Sequence, residues 1–371
     1  MLTDEFDYDL PPERIALVGA EPRDSARLLV VNSTGNEIVL DDRRVSDLAD
    51  LLEPGDVLVV NDTRVLPARV RFTRDTGGSG EVLLLDEVDG DGGDDGGDDG
   101  DGDGDNDNDG SGTGWWRALV RPSAKLRPGS TVQVADSFGF EFGGDLGDGV
   151  RRVRPTIGGA PAGGAALLDA LDRHGEMPLP PYLGSAHLDD PDRYQTVFSQ
   201  RPASAAAPTA GLHLTPGLLD RIRGRGVEVV TVELVVGLGT FRPMTTDRVE
   251  DHEMHHESYR VSDEAWSAIT AAKDQGGRVV AVGTTVVRAL EAAAASGELV
   301  ASTGLFIRSG YPWQVVDVLM TNFHLPRSTL LVMIDAFVGP VWRHVYEVAA
   351  QRSYRFLSLG DAMLLTREVP T

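Results

Sequence analysis

Residues 227–244 read VEVVTVELVVGLGTFRPM. The first ten, Val227 to Val236, are rich in β-branched side chains, which suit a pleated surface buried on both faces. Glu233 interrupts what otherwise reads as a central strand. The glycine-broken loop that follows, holding Gly237, Gly239, Thr240, Phe241 and Arg242, has the wrong register for a dinucleotide G-x-G-x-x-G turn and runs into proline rather than a helix. Helices are predicted on both sides. Thr215-Pro216 starts one, with Leu218, Leu219 and Ile222 on its apolar face and Gly224 and Gly226 at its end. Ser262-Asp263-Glu264 starts another, with Trp266 and Ile269 facing inward and Gly276-Gly277 stopping it. RVVAVG then reads as a strand, Thr284-Thr285 as the cap of the helix VVRALEAAAA, and VVDVLMT as a strand before the loop NFHLP and a helix begun by Ser328. Strand alternating with helix from about residue 157 onward predicts an α/β fold.

Working back toward the start, Arg27 to Val31 reads as a strand, and Val45, Leu48, Leu51 and Leu52 recur at helical spacing until Pro54-Gly55. Asp56 to Val60 is a strand that leads into the polar turn Asn61-Asp62-Thr63-Arg64. The region between differs. ARVRF, EVLLL, WWRALVR and STVQVA are short alternating or β-branched runs separated by turns, as in a small all-β barrel. Arg64, Arg69, Arg71, Arg74, Arg121, Lys125 and Arg127 fall here, and alternation puts several on one outer face suited to phosphates or simply to solvent. The expected architecture is therefore an α/β main domain, a mixed sheet with flanking helices, made from residues 1–61 and 157–371. The inserted small all-β barrel domain spans residues 62–156. Within it, an Asp/Gly-rich loop over residues 86–114, almost all Asp, Gly and Asn after Val88, cannot bury enough apolar surface to offset the entropy of ordering and is expected to be disordered. It lacks the apolar residue of a calcium β-roll turn and the closing glutamate of an EF-hand loop.

Composition narrows the class. A chain of 371 residues with 41% apolar content can bury a large core, and no run approaches the ~18 apolar residues of a membrane helix. The start, MLTDEFDYDL, is too acidic for a signal peptide, so a cytoplasmic protein is expected. Zero cysteines exclude disulfides, thiolate nucleophiles and thiolate-rich metal sites. The net charge of −24 is unfavourable for nucleic acid, but 13 of the 58 acids lie between Asp86 and Asp109. Distribution outweighs the sum here.

Three stretches carry chemistry. His252-Glu253-Met254-His255-His256 matches H-E-x-x-H in letters, but acids precede it and a strand-like SYRV follows, so it does not read as a zinc-protease helix. His252, His255 and Glu257 read better as a proton-relay or cation-holding cluster, against the alternative of an exposed charged turn. His213 sits in a Gly-Leu-His-Leu turn before a helix, where a histidine is either structural or catalytic. The G-x-S-x-G elbow of serine hydrolases is absent.

Twelve blocks, in order, resemble the S-adenosylmethionine:tRNA ribosyltransferase-isomerase family of queuosine biosynthesis: FDYDLP, EPRDSARLL, VNDTRVLPARV, WRALVRPSAKLRPG, PLPPYL, DRYQTVF, AAPTAGLHLT, GLGTFRP, HEMHHE, VVAVGTTVVRALE, TNFHLPRSTLL and YRFLSLGDAML. The resemblance implies an α/β domain with an inserted barrel. It implies transfer and isomerisation of the ribosyl part of S-adenosylmethionine onto 7-aminomethyl-7-deazaguanine at the tRNA wobble position. The product is epoxyqueuosine, with adenine and methionine released; no metal and a monomeric cytoplasmic enzyme are expected. Alternatives are a non-catalytic tRNA-binding relative and an S-adenosylmethionine-dependent transferase with another substrate.

Because a sulfonium acidifies the C5′ protons, a base is needed, and departing adenine needs a proton donor. His213, His252, His255 and Glu257 are the expected catalytic groups. Substrate contacts are expected from Arg23 and Asp24, from Asn61 to Arg64, and from Asp192, Arg193 and Tyr194. Thr209 and Gly211, Gly237 to Arg242, Thr284, Arg288, Asn322 and His324 complete that set. Arg193 and Arg242 are expected to hold the methionine carboxylate or a tRNA phosphate, Asp192 or Glu257 to face the cation, and Tyr194 and Phe241 to stack on a base. Glycines at 211 and 237–239 are expected to let backbone approach the ligand. Two departures stand out: Val235 replaces a family histidine and Leu17 a family glutamine.

Overall fold

The structure is a computed structural model that describes residues 1–34, 37–74, 76–88, 114–135, 137–147, 149–183, 190–237 and 243–367. The chain divides into two compact units, Met1–Val65 with Leu179–Thr371, and Leu66–Pro178. The first stretch supplies β1 (Arg27–Thr34), β2 (Glu37–Arg44), α1 (Leu48–Leu51), β3 (Val57–Asn61) and β4 (Thr63–Val65). The second unit holds β5 (Arg69–Thr73), β6 (Ser79–Glu87), β7 (Trp116–Arg121), β8 (Thr131–Gln133), β9 (Phe138–Gly147), β10 (Val150–Ile157), β11 (Ala160–Pro161) and α2 (Gly164–His174). The chain then returns to the first unit with β12 (Arg201–Ser204), α3 (Pro216–Gly224), β13 (Glu228–Leu234), β14 (Glu257–Val261), α4 (Asp263–Asp274) and β15 (Val279–Val282). After these come α5 (Thr284–Ser296), β16 (Val300–Thr303), β17 (Val318–Asn322), α6 (Thr329–Val338), α7 (Trp342–Gln351) and β18 (Ala362–Thr366).

Among the described residues, nine strands of the first unit form one sheet in the order β16-β14-β13-β3-β15-β17-β18-β1-β2. Its centre, β13-β3-β15-β17, is parallel. β14 and β16 add antiparallel on one side, and on the other β18 pairs antiparallel with β17 and parallel with β1. The sheet is thus mixed, with β-branched strands buried on both faces at its centre. Side-chain alternation makes two cores from the same strands. Val57, Val59, Val279, Ala281 and Leu319 point to one core with α4, α5, α6 and α7. Leu58, Val60, Val280, Val282 and Met320 point to the other with α1 and α3. Each such side chain contributes about 1.5–3 kcal/mol over exposure.

Three helix starts follow the side-chain chemistry of their sequence. Thr215, Ser262 and Ser328 each accept a hydrogen bond from a backbone N–H of the first turn, from Leu218, Ala265 and Leu331 respectively. α5 differs from expectation. Thr284 and Thr285 are its first two residues, and the cap is Gly283 at φ +97°, ψ 152°, a conformation essentially reserved for glycine. The helix expected through Val45 to Leu52 is a short 3₁₀ turn, Val45–Asp47, followed by α1. Trp266 is only partly buried.

In the second unit, β5-β6-β7-β10-β9-β8 form a nearly closed antiparallel, barrel-like sheet, with β11 beside β10 and the end strands β5 and β8 in contact. Val70, Val82, Leu84, Val120, Phe140, Phe142 and Val153 fill it. β6 runs into the acidic run, where Asp86 and Glu87 pair with Arg117 and Trp116, so these two residues are strand rather than loop. The remainder of the Asp/Gly run, 89–113, lies outside the described residues. Arg71, Arg121, Lys125 and Arg127 are exposed, while Arg69 and Arg74 are half-buried. Arg64 is exposed on β4 of the first unit.

Candidate active site

Parallel strands aligned in one direction bring their carboxyl ends to one edge, and there the turn residues rather than the strand faces meet a ligand. β3 ends at Asn61, β15 at Val282, β17 at Asn322 and β13 at Leu234, two residues before Val236. A cleft of ≈ 620 Å³, counted with the part open to solvent, lies at this edge. It is lined by Thr209, Val236, Thr284, Thr285, Thr321, Asn322 and His324, with Tyr182, Ser328 and Ser358 completing a hydroxyl-rich wall. Ala207, Pro208, Phe323, Leu325, Leu330 and Leu357 make it apolar elsewhere. Among the described residues, His324 and Tyr182 are its titratable side chains.

His324 is buried, and burial pushes its imidazole down to about 3, so the ring is neutral. Its Nε2 lies 3.1 Å from the Thr321 hydroxyl. The backbone around it is fixed from both sides: Tyr8 donates to its carbonyl, and its N–H donates to the Tyr346 hydroxyl at 3.0 Å. The Tyr182 phenol bonds the Ser358 hydroxyl, and burial pushes its pKa up to about 12. A neutral imidazole and a neutral phenol therefore face the cleft.

His213 sits behind that wall. The Asn322 amide nitrogen donates to Leu357 O at 3.2 Å, which assigns the amino end of the side chain, and the same nitrogen lies 2.9 Å from His213 Nε2. An amino group donates, so Nε2 accepts and the ring proton is on Nδ1. Burial holds His213 down to about 4, with Asp361 pulling upward and Arg355 downward. The Thr209 hydroxyl bonds the other end of the amide, Asn322 Oδ1, at 3.4 Å. His213 is thus tied to the cleft through Asn322 rather than lining it.

The acidic histidine segment is placed differently from expectation. Residues 252–256 are not helical, which removes the geometry of a zinc-protease H-E-x-x-H. His255 is exposed, and His252 is half-buried edge-on to Phe306, its pKa lowered by burial and then by His255. Glu257 has other partners. It is buried, accepts from Gly237 N at 2.9 Å and forms an ion pair with the equally buried Arg288. Both line a small apolar pocket that shares Thr284 and Thr285 with the cleft. Among the described residues, no group of three His, Asp or Glu is placed to share a metal ion.

Several expected contacts are structural. Asn61 donates to Leu234 O and Thr285 Oγ1 and accepts from Thr63 N and Leu234 N, so its amide joins β3, β13 and α5. Thr63 is fully buried. Asp62 is half-buried and its carboxyl is raised by desolvation. Asp24 accepts from Thr215 Oγ1 at 2.9 Å. Tyr194 is fully buried, so its ring has no face for a base. Gly211 packs against Phe198 and Thr196, where a Cβ would come within 2.9 Å of Phe198, so its smallness serves packing rather than a ligand. Gly237 would meet nothing closer than 3.8 Å. Gly239, Thr240, Phe241 and Arg242 lie outside the described residues. Of the expected set, Thr209, Thr284, Asn322 and His324 meet at the cleft, while Arg23, Arg193 and His213 meet at a smaller pocket beside it. Tyr182, Thr285, Thr321, Ser328 and Ser358 were missed, although each stands inside one of the quoted blocks or, for Ser358, in YRFLSLGDAML. Val235 is half-buried, bonds Ser258 O through its N–H, and is not part of the cleft wall, unlike its neighbour Val236.

Comparison with known proteins places the chain in a family. The model of the family described as "Queuosine biosynthesis protein" matches residues 3–365. The chain belongs to the queuosine biosynthesis protein family. Within that family, the S-adenosylmethionine:tRNA ribosyltransferase-isomerase of Azoarcus sp. (strain BH72) is 44% identical over 98% of this chain and 97% of its own. That of Symbiobacterium thermophilum is 43% identical over 98% and 100%. A crystal structure of an S-adenosylmethionine tRNA ribosyltransferase from Thermotoga maritima matches with a TM-score of 0.51 at 32% identity, covering 97% of this chain and 99% of that one. This member of the queuosine biosynthesis family has no helix long and apolar enough to cross a membrane among its described residues.

Proposed function

We propose that the protein is an S-adenosylmethionine:tRNA ribosyltransferase-isomerase. It moves the ribosyl part of S-adenosylmethionine onto 7-aminomethyl-7-deazaguanine at the wobble position of tRNA, giving epoxyqueuosine and releasing adenine and methionine. Full-length identity of 43–44% to relatives of that name carries the reading. The cleft at the carboxyl edge of the parallel strands is the place for the chemistry.

Removing a C5′ proton next to the sulfonium needs an acceptor, and adenine needs a proton as its glycosidic bond breaks. In the cleft, His324 is the neutral ring placed to accept, although burial makes it a weaker base than a free imidazole, and the Tyr182–Ser358 pair carries hydroxyl protons able to be donated. Thr209 and Asn322 supply hydrogen bonds that orient, and Gly283-Thr284 presents the start of α5 to partial negative charge. His213 acts through Asn322 as a positioning residue. A mostly apolar wall around a cationic donor strengthens the polar contacts made inside.

The test combines purified protein, S-adenosylmethionine and tRNA carrying the aminomethyl base, read by nucleoside mass spectrometry and by free adenine. Epoxyqueuosine formed only with all three components establishes the activity. Bound tRNA without product or adenine would instead support the non-catalytic relative.

A further inference from the structure

Beside the cleft lies a second pocket, ≈ 260 Å³, in which Arg23 and Arg193 converge with His213 and Ser358. Ser358 borders both spaces, and the His213–Asn322 hydrogen bond forms part of the partition between them. Each guanidinium is held from behind. Arg23 donates Nη1 to Gln195 O and Nη2 to Asp192 O, both at 2.6 Å. Arg193 donates Nη2 to Ala20 O at 2.7 Å and meets Glu21 at 3.1 Å, but the Glu21 side chain is 77% exposed and so contributes weakly. Among the described residues, no carboxylate lies within ion-pair distance of Arg23. These bonds use part of each five-donor fork and leave N–H groups over.

Two cations held side by side without a buried counter-ion are costly as mere straps, since a neutral amide would bond the same carbonyls without repulsion. Burial and then Arg193 lower the pKa of Arg23, outweighing the upward pull of the exposed carboxylates Asp190, Glu21 and Asp192. His213 adds a neutral ring with its single proton on Nδ1 and no negative charge to fill the role of counter-ion. Planar forks with spare donors suit an oxyanion.

We propose that Arg23 and Arg193 form an oxyanion subsite, filled by a carboxylate or phosphate of a substrate whose reacting part occupies the adjoining cleft. The inference rests on the proposed function for its two sources, the amino-acid carboxylate of S-adenosylmethionine or a backbone phosphate of the RNA. The site itself is tested without either. Inorganic phosphate, compared with chloride at equal ionic strength, raises the melting temperature of the wild-type protein, because a ligand of the folded state stabilises it. Arg193→Gln abolishes that rise, and Arg193→Lys, which keeps the cation, retains part of it. An equal phosphate response in Arg193→Gln, or none in the wild type, overturns the proposal. Titrations then separate the sources. A loss of about tenfold or more in affinity for S-adenosylmethionine alone identifies the carboxylate, and the same loss for an anticodon stem-loop identifies the phosphate. Unchanged affinity for both would remove the pocket from the reaction and sink the inference. A phosphate response lost in Arg193→Gln, in a protein that makes no epoxyqueuosine, would leave the subsite standing and overturn the functional reading instead.

Discussion

His324 and His213 are two buried imidazoles, one bonded to Thr321 in the cleft wall and one to Asn322 behind it, and they separate contact from support. His324→Ala is expected to lower kcat by about 10²-fold or more, the usual weight of a proton-transferring group. His255→Ala, removing an exposed ring, is expected to leave kcat within about twofold; steady-state adenine release checks both. The two rings also set an acid limit. Their folded pKa values, about 4 and about 3, lie below the unfolded value of 6.5, so the unfolded chain binds more protons between these limits. Their contribution is therefore fully present above pH 6.5 and is lost as pH falls through that window, roughly 3 kcal/mol from His213 alone. Chemical denaturation at pH 7 and pH 4.5 measures it, and His213→Gln should flatten the difference. Thr209, Thr284, Asn322 and His324 are expected contacts that line the cleft, whereas Tyr182, Thr321 and Ser358 stand in the same kind of block without being singled out. Membership of a block does not say which side chain turns toward a cleft, and these come from distant segments that only the fold brings together. Tyr194 and Gly211 were misread for a different reason: total burial depends on neighbours that only the folded chain assembles.

At the scale of elements, the caps at Thr215, Ser262 and Ser328 were legible because one side-chain oxygen reaching one backbone N–H is local chemistry. α5 was not, because its cap is a backbone conformation. Gly283 turns β15 into α5 at φ +97° while its flank faces Ala210. Gly283→Ala is expected to cost about 1–3 kcal/mol. It should also raise KM for S-adenosylmethionine, because Thr284 and Thr285 line the cleft from the turn that would shift. Urea titration and initial-rate kinetics together check this. The order of the sheet was equally hidden. Hydrophobic runs identify strands, but the placing of β18 between β17 and β1 is a long-range choice that no window of sequence contains.

For the whole molecule, a charge of −24 would suggest repulsion from RNA, yet cations remain available locally. On the barrel-like sheet, Arg71 faces Glu176 and Arg69 faces Glu81. Arg121, Lys125 and Arg127 are exposed around β7 and the turn after it. Replacing all three by Gln is expected to weaken tRNA binding and to reduce the slope of log K against log salt by about 2–3. Melting temperature should barely move. Filter binding across a salt series separates this from misfolding.

The position of β18 has a consequence in the order of events. Among the described residues, the β1–β2 hairpin joins the nine-stranded sheet through β18 alone, and β18 follows every other described strand. During synthesis the hairpin therefore waits, its inner edge unpaired, until the more than three hundred residues up to β18 have been made. Contacts of such separation are slow to form and open to mispairing while they wait. Loss of the β18 segment would leave that early hairpin without its place in the sheet, and chaperone dependence during translation is the trait this architecture should share with others that close on their final strand.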